Sequence, residues 1–251
     1  MFFNLNNSDT LEICGENPIN CIGCICPQYG VFGLYLQRLN IHVMDEFVLN
    51  PLYETVIDGL MEHKYSIVDG FFSPEEVLGL RQSLLEKYEE DRFKKSAIGN
   101  QANEKVIGAV RGDFILWLDE ANAHDAERTF FNKMQDFTQY LNRTCFMGIA
   151  QQEFHYALYP EGTFYKRHLD TFMNDSSRKL SVVCYLNDED WKPEYGGELT
   201  LYVNENGTET SKDIYPLQGR MVVFESQVLE HEVKPVIKNR LSITGWLKTR
   251  A

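Results

Sequence analysis

Arg167-His168-Leu169-Asp170 places an imidazole and a carboxylate two residues apart near the end of an extended run. In a strand, residues i and i+2 point to the same face, so these two side chains can share one ion. Alone the pair is weak, because His-x-Asp recurs by chance and a buried histidine is more often simply packed. A second imidazole stands at His231, inside Glu230-His231-Glu232 on a later run. Two imidazoles and one carboxylate on one side of a metal leave adjacent positions open, as an iron(II) centre binding both a cosubstrate and O2 requires. Arg240 follows nine residues after His231, with Ser242 on the same face two residues on. An inward guanidinium is costly unless it meets an anion, and its planar fork suits a carboxylate. A dicarboxylate such as 2-oxoglutarate answers both needs, with its distal carboxylate on Arg240 and its keto-acid end on the metal. His42, His63, His124 and His155 have no such partners and are expected in core or surface positions.

These side chains need elements to position them. Leu52, Val56, Leu60 and Met61 recur at helical spacing and predict a helix over 51–62, followed by a strand at 63–69. Ser73-Pro74-Glu75-Glu76 opens a second helix, expected to reach about 93: a capping hydroxyl, proline in the first turn, then acids at the positive dipole end. The polar stretch Lys94–Glu104 reads as a mobile loop that could close over a substrate. A short buried strand is expected at 114–118 and an amphipathic helix at 125–141. After residue 147 about eight strands follow, near 148–159, 163–170, 178–187, 197–203, 212–217, 219–225, 229–235 and 239–248, separated by Gly, Asn and Pro turn signals. Helices followed by eight short strands predict an α+β, mainly β, fold: a double-stranded β-helix, or jelly roll, buttressed by N-terminal helices. One domain is expected over 44–251, with helical support at 44–147 and the jelly-roll core at 148–249.

Composition bounds the partners. The 251 residues carry 37 acids and 24 bases, a net charge of −13 and a pI near 4.9. That balance argues against nucleic acid and anionic membranes and hints at a basic or neutral partner. No apolar run is long enough to span a bilayer, and the first residues lack a basic signal region, so a cytoplasmic protein with reduced thiols is expected. Residues 1–43 stand apart. Cys14, Cys21, Cys24 and Cys26 crowd there without the second separated pair that zinc modules usually present. A flexible leader, or a reading-frame start placed upstream of Met44, is the expectation, with a zinc or iron–sulfur site as the alternative.

The segment from Tyr159 to Asp170, Tyr159-Pro160-Glu161-Gly162-Thr163-Phe164-Tyr165-Lys166-Arg167-His168-Leu169-Asp170, resembles the metal-binding strand pair of 2-oxoglutarate/Fe(II) dioxygenases of the prolyl 4-hydroxylase superfamily. More narrowly, the chain is similar to the bacterial branch related to the animal oxygen-sensing prolyl hydroxylases. Tyr185-Leu186-Asn187, Trp191, Gly196-Gly197-Glu198-Leu199, Arg240 to Trp246, and Val110-Arg111-Gly112-Asp113 with Trp117 extend the likeness over about 50–249. The resemblance implies iron ligands at His168, Asp170 and His231. It implies a 2-oxoglutarate site at Arg240, Tyr185, Tyr159, Ser242 and Thr244. A substrate region would include Trp246 as an apolar wall, with Arg178, Arg111, Asp113 and Tyr165 about its entrance. It also implies Fe(II), 2-oxoglutarate, O2 and the reductant ascorbate. The implied reaction forms 4-hydroxyproline in a target protein, with succinate and CO2 as co-products. The same chemistry on a free amino acid or other small metabolite, or a non-catalytic jelly-roll binding module, are the alternatives. Plain packing remains open for Tyr185, Trp191 and Trp246, a plain turn for Gly196-Gly197, and an outward-facing core position for Cys184.

Overall fold

Capping side chains set where the helices begin. In the computed structural model, which describes residues 48–96, 110–171, 176–205 and 207–250, the Asn50 side chain accepts from the Leu52 and Tyr53 amides. It thereby opens α1 (Pro51–His63). Ser73 accepts from the Glu76 amide while the Glu76 carboxylate accepts from the Ser73 amide, a reciprocal box that opens α2 (Pro74–Glu89). Helix α2 stops short of the expected residue 93 because Asp91 turns left-handed at φ 57. Helix α3 (Asp125–Cys145) runs a turn beyond the expected 141 and ends where Phe146 adopts φ 54. The Met44 start and the cysteines of 1–43 lie outside the described residues, as do residues 97–104 of the expected loop, residues 105–109 and residues 172–175.

Among the described residues the strands are β1 (Tyr65–Val68), β2 (Lys94–Lys95), β3 (Phe114–Trp117), β4 (Ile149–Tyr159), β5 (Tyr165–His168), β6 (Arg178–Tyr185), β7 (Leu199–Glu205), β8 (Thr208–Ile214), β9 (Met221–Glu225), β10 (His231–Val233) and β11 (Arg240–Thr249). They form a seven-stranded sheet in the order β1-β9-β6-β11-β4-β3-β2 and a four-stranded sheet in the order β5-β10-β7-β8. The eight C-terminal strands divide four and four between them, the jelly-roll arrangement that the strand spacing predicts. Three differences emerge. The supporting region is not helical alone, since β1 covers one edge of the larger sheet and β3 with β2 extends the other. Lys94 and Lys95, expected in a mobile loop, are paired with Ile115 and Phe114 on that edge. Strand β8 begins at 208 rather than 212, because its polar side chains leave no apolar alternation to read and only pairing with β7 defines it.

The helices pack against the larger sheet through aromatic rings. Phe130 meets Phe154 edge-on at 4.9 Å and Phe72 face-on at 5.5 Å. Phe71 and Phe137 extend that layer to Tyr53. A buried Lys87–Glu127 pair joins α2 to α3. A second core lies between the sheets, where Val183, Tyr185, Val222 and Phe224 meet Leu199, Leu201 and Ile214. Residues from Leu49 onward form one compact unit. No helix among the described residues is long and apolar enough to cross a membrane.

Candidate active site

The last residue of β5 and the first of β10 face each other across a strand pair: His168 and His231 are register partners with ring centroids 4.2 Å apart. Asp170 lies two residues past the end of β5, not on the strand as its spacing suggests, yet it turns back to both rings. Its Oδ1 is 3.6 Å from His168 Nε2 and its Oδ2 is 3.6 Å from His231 Nε2. One donor atom from each of the three lies within 4.8 Å of the others. The far ring nitrogens are engaged: His168 Nδ1 donates to the Lys166 carbonyl at 2.7 Å and His231 Nδ1 to the Leu229 carbonyl at 3.3 Å. A carbonyl can only accept, so both rings carry a proton on Nδ1 and turn Nε2 towards Asp170.

Asp170 is held as an anion. Burial pushes its carboxyl up, but the two imidazoles and the Ser181 hydroxyl outweigh burial and hold it well below the usual carboxylate range. Ser181 Oγ donates to Oδ2 at 2.7 Å and is itself within 2.9 Å of Ser226 Oγ. Burial lowers His231 to about 4. Two imidazoles, one carboxylate and outer hydrogen bonds that fix all three suit a divalent transition metal such as Fe(II).

Arg240 begins β11 opposite Tyr159 and is 1% exposed. Its Nε donates to the Gly197 carbonyl at 2.9 Å and its Nη1 to Ser242 Oγ at 3.3 Å, and no carboxylate among the described residues pairs with it. The rings of Tyr185 and Tyr159 flank the guanidinium at 4.9 and 5.1 Å. The Tyr185 hydroxyl is buried with no well-aligned hydrogen-bond partner among the described residues. A buried cation and a buried hydroxyl left in this state fit an incoming carboxylate. Gly197 does more than turn the chain. It holds φ 72, and a Cβ there would lie 3.1 Å from Arg240 Cδ, so the missing side chain leaves the arginine its place.

A cavity of about 670 Å³ joins the two groups. His168, Asp170, His231, Arg240, Tyr159, Thr244, Trp246, Arg178, Arg111 and Tyr165 all line it. Tyr185, Ser242 and Asp113 do not line it and are fully buried. Asp113, fully buried, takes two bonds from Arg111, at 2.7 and 2.8 Å. Burial works against the Arg111 charge, and Asp113 more than offsets it. That guanidinium lies 4.5 Å over the Tyr165 ring, and Tyr165 stacks on His168 at 3.6 Å. Arg178 covers the Trp246 ring at 3.4 Å and donates to the Asp170 carbonyl at 3.1 Å. The lining also holds Arg92, Lys94 and Lys95, so the cavity is basic although the chain is acidic. Trp191 packs against Tyr195 away from the cavity, and the buried Cys184 thiol is pushed up by desolvation.

Two side chains escape the sequence reading. Ser181, which orients Asp170, carries no motif. His155, expected in an ordinary core or surface position, lines the cavity between Trp117 and Trp246. Counting back in twos from Tyr159 along β4 would have found it, since Tyr159, Ala157 and His155 all face the cavity.

Comparison with known proteins agrees with this geometry. The sequence profile of the 2OG-Fe(II) oxygenase superfamily matches residues 154–248. A crystal structure of a prolyl-4-hydroxylase from Pseudomonas putida is 34% identical, with a TM-score of 0.70, covering 79% of this chain and 100% of that one. A Trichoplax adhaerens prolyl hydroxylase, solved with a peptide fragment of the hypoxia inducible factor oxygen degradation domain, is 28% identical with a TM-score of 0.70. It covers 78% of this chain and 89% of that one. The hypoxia-inducible factor prolyl hydroxylase of Caenorhabditis elegans is 29% identical over 217 residues, which make up 83% of this chain but 30% of the worm protein.

Proposed function

Since this chain belongs to the 2-oxoglutarate/Fe(II) oxygenases of the prolyl 4-hydroxylase type, we propose that it hydroxylates C4 of a prolyl residue in a target protein, consuming 2-oxoglutarate and O2 and releasing succinate and CO2. One observation carries the reading: a His168–Asp170–His231 cluster shares a cavity with a buried arginine that lacks a carboxylate partner among the described residues. Bound Fe(II) supplies the redox chemistry by which the two cosubstrates are spent and a C–H bond becomes C–OH.

Each protein group has a separable task. His168, Asp170 and His231 hold the metal on one side. Arg240, aided by Ser242 and the Tyr185 hydroxyl, takes the distal carboxylate of 2-oxoglutarate, and the Tyr159 ring closes that end. No side chain need act as a general base. Trp246, fixed by Arg178, offers an apolar face to a pyrrolidine ring, and the Arg111–Asp113 pair steadies Tyr165 and hence His168. A peptide substrate is favoured by the family, whose Trichoplax member is solved with one. The unit responsible is read as 44–251. Ascorbate, as the reductant that keeps the metal ferrous, belongs to the same reading.

The test is hydroxylation mapping. Incubation of a cell extract with the protein, Fe(II), 2-oxoglutarate and ascorbate is expected to add one oxygen atom, about 16 Da, to a proline of a specific protein. The Asp170→Ala variant should leave that proline unmodified. Succinate release driven only by a free amino acid, with no protein modified, would overturn the choice of substrate.

A further inference from the structure

His155 is 2% exposed, lines the cavity, and its Nδ1 has no hydrogen-bond partner among the described residues. A buried polar atom left unpaired in a wall that faces a ligand space is waiting for a ligand atom. Two aromatic rings fix its position: Trp117, its register partner on β3, lies edge-on at 4.9 Å, and Trp246 lies at 5.7 Å. On its other side His155 pairs in register with Thr244 of β11, which also lines the cavity.

The strand register says which part of a ligand reaches this level. Arg240 Nη1 is 3.3 Å from Ser242 Oγ, so the guanidinium tip stands near the Ser242 rung. The His155–Thr244 rung is the next on that face, two residues along, roughly 6.6 Å of strand rise. That step is comparable with the backbone of a five-carbon diacid. A 2-oxoglutarate whose distal carboxylate meets Arg240 therefore brings its keto-acid end level with His155 and Thr244.

We propose that His155 is a 2-oxoglutarate-binding residue that donates a hydrogen bond to the keto-acid end of the cosubstrate, from the rung it shares with Thr244. This rests on the 2-oxoglutarate reading above. Desolvation, reinforced by Arg111, keeps the ring neutral, its pKa lowered to about 3, so a single ring N–H makes the donation and persists across neutral pH. The bond orients the cosubstrate without adding a charge to a cavity that already carries several arginines.

Anaerobic titration of the Fe(II)-loaded protein with 2-oxoglutarate, followed by the visible charge-transfer band, tests this. His155→Leu is expected to raise the 2-oxoglutarate Kd about tenfold and to shift the band, whereas His155→Gln, which keeps a donor, restores most of the affinity. Fe(II) affinity and far-UV circular dichroism should match the parent. If His155→Leu does not fold, the wild-type protein loaded with Zn(II) decides: the 15N resonances of His155 should move on addition of 2-oxoglutarate. An unchanged Kd in a folded His155→Leu, equal loss in both variants, a KM effect confined to peptide, or unmoved resonances would overturn the proposal. A wild-type protein with no band at all would instead overturn the 2-oxoglutarate reading itself.

Discussion

A guanidinium held by one carbonyl and one hydroxyl, buried to 1% exposure, stands ready for an anion from solution. Arg240→Ala is expected to weaken 2-oxoglutarate binding by about a hundredfold, since two charge-assisted bonds are lost, while Fe(II) affinity stays within about threefold. Equal loss of both in a binding titration would make Arg240 a structural residue. The metal cluster has its own outer support. Ser181→Ala removes the hydroxyl on Asp170 Oδ2 and should lower Fe(II) affinity by about tenfold, measured by competition with a chelator. An unchanged affinity would show that the serine merely fills space. At this scale the sequence was informative where chemistry needs an unusual residue at fixed spacing: His168, Asp170, His231 and Arg240 stand out because charges seldom point into a β core. Ser181 and His155 do not stand out. A serine is common in strands, and a lone histidine in the near-continuous buried run of β4 looks like packing until its neighbours across the sheet are known.

Cross-strand contacts turn single residues into a working wall. The Arg111–Asp113 pair sits at the start of β3, bridges to Tyr165 of β5, and through that ring's stacking reaches His168. Removing one partner of such a pair leaves the other charge buried. Arg111→Ala is therefore expected to destabilise the protein by about 3–5 kcal/mol in urea unfolding. A loss below about 1 kcal/mol, the range of an exposed pair, would contradict the buried role given to Asp113. The eight jelly-roll strands were legible from turn residues and alternation because each half-buried strand repeats the same pattern. The strands expected at 63–69 and 114–118 are present as β1 and β3, but β2 and the sheet edges that these strands cover were not legible. Strands β1, β2 and β3 are two to four residues long, and nothing in so short a run says which edge it will cover. The Ser73 cap located the start of α2 and apolar spacing the starts of α1 and α3, whereas the ends of α2 and α3 moved because Asp91 and Phe146 adopt left-handed turns that no glycine announces.

The whole molecule carries −13, yet the cavity gathers arginines and lysines around a single carboxylate, Asp170. Net charge therefore misdescribes what the site attracts, and the hint of a basic or neutral partner does not hold for the cavity itself. Burial also couples stability to pH. His231 is lowered to about 4 and His155 to about 3, both chiefly by desolvation, from an ordinary 6.5. Between those values the unfolded chain binds more protons than the folded one. Stability of the metal-free protein should thus fall as pH drops below about 6.5, by up to about 1.4 kcal/mol per pH unit for each histidine. A melting temperature at pH 5 equal to that at pH 7 would contradict the neutral, buried state of both rings, and His155→Gln should flatten part of the slope. All of this depends on one ion and one dicarboxylate meeting in one cavity. The most direct measurement is anaerobic addition of Fe(II) and then 2-oxoglutarate to the wild-type protein, watched by visible absorption. A weak charge-transfer band that needs both additions, and is absent in His168→Ala and His231→Ala, is the expected result. No band with either order of addition, or a band indifferent to the two histidines, would contradict the account.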